Sequence, residues 1–192
     1  MKKQMIFQKL VCLIALLAAA IAFFFSLGLL TDIYKLMFAV GVRGSELFKQ
    51  MQPFNRQLVI RCIAMILLAV LLYVTRTQLR RRYYISNYVA IGGTVILNVL
   101  FSSLSIARIL EYKRRFLTEV DFEAWLALRE SIPDFPYTES TLWLDLNIAM
   151  QSLVIAASLL LVINLLWKTK LMKFEDKLLS GKIKPGSLQL EV

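Results

Sequence analysis

Four stretches that are uncharged or nearly so divide the chain, at 10–30, 58–74, 89–107 and 142–167. At about 1.5 Å of rise per residue, each crosses or nearly crosses a hydrocarbon slab about 30 Å thick. Lipid offers a backbone no hydrogen-bonding partner, so stretches of this kind are helices. The expected fold is all-α: a polytopic membrane protein, a four-transmembrane-helix bundle with two short, partly helical extracytoplasmic loops. Residues 1–192 read as one membrane domain, with outer loops at 31–57 and 108–141 and a cytoplasmic tail at 168–192. The hydrophobic fraction is 58%. Soluble domains hold about 45–50%, and here the excess is confined to the four stretches.

The net charge of +10 raises the question of nucleic acid. Its distribution points to lipid instead. Segments 1–9, 75–88 and 168–192 hold thirteen Lys/Arg and three Asp/Glu, whereas 31–57 and 108–141 hold nine of each. Positive residues are retained on the cytoplasmic side. Both termini and the turn carrying Arg76, Arg80, Arg81 and Arg82 are therefore expected in the cytoplasm. Lys168, Lys170 and Lys173 complete this basic fringe, near anionic headgroups. The expected partners are the bilayer and a protein partner or second copy within it, with no nucleic acid. A short cytoplasmic turn and the absence of N-x-[ST] sequons fit a plasma membrane of the bacterial inner-membrane type. The apolar run behind Lys2 and Lys3 continues for about 21 residues, past the roughly 7–15 of a signal peptide. It reads as an uncleaved span.

Along span one, Ala15, Ala19, Ala22 and Ser26 share a helical face. Small side chains let backbones approach in lipid, so this is a helix-packing face. Phe23, Phe24 and Phe25 read as packing or lipid contacts. In the first outer loop, Ser45 caps a short helix over 46–49 that Pro53 is expected to stop. In the second, span three is expected to continue as a helix through Arg115. Asp121 then caps a helix over Phe122–Ser131. A loop of about 34 residues cannot build its own core, so it should dock on the first loop or lie at the membrane surface. Gly92 and Gly93 suggest a close approach or a mild bend. The last helix is expected to run to Leu179.

The polar residues inside the spans form the candidate site. Thr94, Asn98, Ser102 and Ser105 fall on one face of span three. Asp145, Asn147 and Gln151 lie in the outer half of span four. Arg61 and Asp145 each sit about three residues inside the outer edge of their spans, roughly 4–5 Å deep, and are expected to pair or to share a polar pocket. Asn98 and Gln151 each lie about nine residues from that edge and are expected to face the bundle interior, where they could hydrogen-bond. Interhelical hydrogen bonds in membranes average only about 0.6 kcal/mol. A set of amides and hydroxyls without a mid-membrane charge therefore reads first as packing glue. It reads second as the lining of a cavity, because ionisable groups in spans mark function by default.

Several chemistries have no residues to carry them. The sequence has no histidine, no phosphate-binding glycine loop and no G-x-S-x-G. Cys12 and Cys62 are expected at opposite membrane faces, too far apart for a disulfide or a zinc site. The acidic residues of the second outer loop alternate with Lys113, Arg114, Arg115 and Arg129, as on a solvated mixed surface. No catalytic residue, metal or cofactor is expected. Two functions remain: a non-enzymatic interaction, assembly or regulatory subunit of a membrane complex, and a subunit of an oligomeric transporter or channel for small solutes or ions.

Overall fold

The structure is a computed structural model that describes residues 2–36, 43–75, 84–131 and 139–180. Arg76, Arg80, Arg81 and Arg82 lie outside the described residues, as does the tail after position 180. Five helices follow one another: α1 (Lys2–Leu36), α2 (Ser45–Thr75), α3 (Tyr84–Glu119), α4 (Phe122–Ser131) and α5 (Leu142–Leu179). All but α4 are long and apolar enough to cross a membrane. No strand occurs among the described residues. The chain is a four-helix membrane bundle, and α5 ends at Leu179 as its sequence predicts.

The four long helices alternate in direction and close a ring, α1 against α2 and α5, α3 against α5 and α2. Side-chain contacts fix the register. Phe7 meets Trp167 at 5.4 Å and Tyr88 reaches Met172 at 2.9 Å, so the start of α1 and the end of α5 share one end of the bundle. Phe25 meets Trp143 at 6.2 Å near the other end, where α4 sits. The face of Ala15, Ala19, Ala22 and Ser26, joined by Ala18, is buried to within 3%. These methyl-sized side chains let α1 lie close to both neighbours. Two residues beyond Ser26, Gly28 makes a close approach of its own. A Cβ built there would stand 2.6 Å from Cζ3 of Trp143.

The two connections at the α4 end form one cap. Gly44 has φ +91°, a conformation that costs other residues about 1–2 kcal/mol. Its position also faces the α3–α4 joint, where a Cβ would meet Val120 Cα at 2.7 Å. The Arg43 carbonyl accepts the Asp121 N–H at 3.2 Å. Asp121 caps α4 as expected, its Oδ1 accepting the Ala124 N–H at 3.0 Å. Phe48 of α2 stacks on Trp125 of α4, with centroids 5.2 Å apart and planes 7° from parallel. Phe116 and Phe122 close the cluster edge-on. The docking of the second loop on the first thus takes the form of α4 sharing a core with the outward extensions of α2 and α3.

Two local expectations are overturned. Pro53 does not stop a helix, because α2 runs through it from Ser45 to Thr75. A proline denies a bond to the carbonyl four residues earlier and crowds that same carbonyl with its ring, leaving the other helix bonds in place. Pro53 and Lys49 are both exposed, so the bond is lost on the outside of the helix and the inner side stays intact. Gly92 and Gly93 make no close approach either, since nothing stands within 4 Å of a Cβ built at either position.

Candidate functional site

Three helices turn a mixed stripe inward. On α3 it is Ile91, Thr94, Asn98, Ser102, Ser105 and Ile109; on α5 it is Leu144, Asn147, Gln151, Val154, Ser158, Leu161 and Asn164; on α2 it includes Asn55, Leu58, Cys62 and Met65. Steps of three and four keep each stripe on one face. Every polar member is 2% exposed or less. A soluble bundle would place apolar side chains at most of these positions. Here they form a neutral polar column along the length of the bundle.

The column can be followed from the α4 end. Asn147 Nδ2 donates to the carbonyls of Phe25 at 3.1 Å and Trp143 at 2.8 Å, tying α5 to α1. Gln151 Nε2 donates to Cys62 Sγ at 3.5 Å. The Ser26 hydroxyl donates to the Phe23 carbonyl at 2.7 Å. Ser102 reaches Met65 Sδ at 3.8 Å. At the terminal end, Gln4 donates to Gln8 at 3.3 Å and to Asn164 at 3.1 Å. Cys12 and Cys62 are both buried and unbridged.

Asp145 and Arg61 do not pair. Asp145 takes Lys113 at 2.5 Å and the Thr141 hydroxyl at 2.8 Å. Arg61 Nη1 donates to Ser105 Oγ at 3.2 Å. The reason lies in α3, which continues as a helix well past position 107 and carries Lys113 to the start of α5. The same register separates Asn98 from Gln151. With Tyr88 beside Met172 and Lys113 beside Asp145, Asn98 lies opposite the region of Leu160, and Gln151 opposite Ala107. The two amides are buried, as expected, but make no bond with each other, and Gln151 Oε1 and Asn98 Oδ1 have no partner.

Gln4, Gln8, Asn55 and Ser158 belong to the column and were not singled out by sequence. The i,i+4 spacing of Gln4 and Gln8 and the heptad from Asn55 to Cys62 were the available signals. Several buried atoms on the column lack a protein partner: Thr94 Oγ1, Asn98 Oδ1, Asn147 Oδ1, Gln151 Oε1, Asn164 Nδ2 and both amide atoms of Asn55. Unpaired burial costs about 1–3 kcal/mol per group. The column itself carries no formal charge, and its Ser105 accepts a hydrogen bond from the Arg61 guanidinium. Among the described residues no three His, Cys, Asp or Glu side chains cluster as metal ligands. Of the basic fringe, Lys168 lies over the Tyr88 ring at 5.6 Å, and Lys170 and Lys173 are exposed.

The fold and its interior define a multi-pass membrane protein with a polar-cored four-helix bundle. Comparison with known protein families, with curated proteins and with solved structures finds no match to this chain.

Proposed function

We propose that the chain is a non-enzymatic membrane subunit that assembles with a partner in the bilayer and braces or regulates it. The observation that carries this reading is the cap, in which the connections at one end are welded to the spans by the Phe48–Trp125 stack and the Arg43–Asp121 bond. Such a cap gives a partner a fixed surface. The spans contribute outward apolar side chains such as Phe24, Ile60 and Ile96, each more than 60% exposed. Mild extraction from native membranes, followed by identification of what co-purifies, tests the proposal. Stoichiometric recovery with another membrane protein is the expected result, and recovery only as a lone monomer refutes it.

The unpaired polar atoms of the column favour a second reading, a homo-oligomeric subunit for passage of a small solute or ion. It requires water to reach Asn98. In a background lacking Cys12 and Cys62, an Asn98→Cys variant should then react with a water-soluble thiol reagent. No labelling from either side argues against a conduit. The charge asymmetry further supports an orientation with both termini cytoplasmic, and the short turn and absent sequons fit a bacterial inner membrane. A reporter fused to Val192 should be active only inside the cell.

A further inference from the structure

α2 and α3 are the least closely packed neighbours in the ring. Toward the α4 end they part to leave a lateral groove of about 570 Å³. Its walls are chemically divided. Phe54, Leu104 and Ala107 supply apolar surface, Arg61 and Arg108 supply two guanidinium groups, and Glu111 adds one carboxylate beside Arg108. Leu104 is 47% exposed, so the groove opens sideways, and Arg61 links its inner edge to Ser105 of the polar column.

The charges there are unevenly matched. Arg108 holds Glu111 at 2.8 Å, with its side chain 62% exposed. Arg61 lies one to two turns deeper, inside the apolar part of α2, and donates to the neutral Ser105 hydroxyl. Among the described residues it forms no ion pair with a carboxylate. A guanidinium at this depth needs an anion or a route to the interface. Arginine matches the planar, multi-oxygen geometry of phosphate especially well. An apolar wall that continues along Leu104 toward the membrane interior fits an acyl chain and has no use for a free ion.

We infer that the α2–α3 groove is a binding site for an anionic phospholipid, its phosphate held by Arg61 and Arg108 and one acyl chain laid along Leu104 and Ala107. The inference is independent of whether the chain is an assembly subunit or a conduit.

Native mass spectrometry of the detergent-purified full chain, titrated with phosphatidylglycerol, tests it. The unaltered chain should retain one lipid at concentrations where further adducts are rare. R108Q removes an exposed charge that the fold does not need and should weaken that retention several-fold. R61Q/R108Q should abolish preferential retention. K170Q/K173Q, which removes two charges at the opposite end, should leave it unchanged. Equal loss in R108Q and K170Q/K173Q would mean diffuse attraction and would overturn the site. Competition by millimolar inorganic phosphate, with no dependence on acyl chains, would make it a free-anion site and would overturn the lipid assignment. Retention undiminished in R108Q and in R61Q/R108Q would overturn it as well. Should R61Q/R108Q fail to fold, R108Q and an Ala107→Trp variant that fills the groove decide the matter, since both should lose the bound lipid.

Discussion

Single positions in this protein differ sharply in what they tolerate, and the differences follow from partners and not from burial alone. Thr94 and Asn147 are both buried on the column. Thr94 Oγ1 has no partner, whereas Asn147 bridges two helices through its Nδ2. Thr94→Val keeps the shape and removes only the unpaired oxygen, so it should leave stability unchanged or raise it by up to about 1 kcal/mol. Asn147→Leu should cost about 1–3 kcal/mol, because it leaves the Phe25 carbonyl without that donor. Thermal unfolding in detergent checks both, and a clear loss in Thr94→Val would mean that the hydroxyl is satisfied in the folded protein. Gly44→Ala forces a left-handed backbone on alanine and drives a methyl onto Val120. It should destabilise by at least about 1–2 kcal/mol. Local proteolysis at the cap should rise with it.

At the scale of elements, α3 decides more than its apolar length suggests. Its extension to Glu119 brings Lys113 to Asp145, and this pair, not Arg61 with Asp145, joins α3 to α5. A double-mutant cycle on Lys113 and Asp145 should give a coupling of about 0.2–1 kcal/mol, because both side chains keep some solvent access. The cycle on Arg61 and Asp145 should give simple additivity. The spans, the alanine face of α1 and the Asp121 cap were legible in the sequence because each is a local pattern with one physical solution. The Arg61–Asp145 pairing was not, because depth was counted from the edge of each apolar stretch. Helices do not end where their apolar residues end, and the register between two of them is set by contacts far apart in the chain. Pro53 was misread for a related reason: proline ends a helix only when the freed carbonyl has nowhere to turn.

For the molecule as a whole, the ring order and the shared location of the two chain ends make a sharp test. In a background with Cys12 and Cys62 replaced, Phe7→Cys with Trp167→Cys should cross-link through a short bifunctional thiol reagent. Phe7→Cys with Thr141→Cys should not, since these positions lie at opposite ends. Efficient cross-linking of the second pair would break the alternating topology. The amides and hydroxyls of the column were individually visible in the sequence, but their continuity from Asn55 to Gln4 emerges only once α1, α2, α3 and α5 are set side by side.

The unbroken course of α2 through Pro53 has a mechanical consequence. Its 31 residues make a rod about 45 Å long with the aromatic cluster at one tip and Cys62 near its middle. No break in the helix separates the tip from the shaft. A push on the cap that tips this rod by roughly 5° sweeps its far tip through about 4 Å. Whatever presses on the cap from outside therefore has leverage on the thiol and amides deep within the bundle.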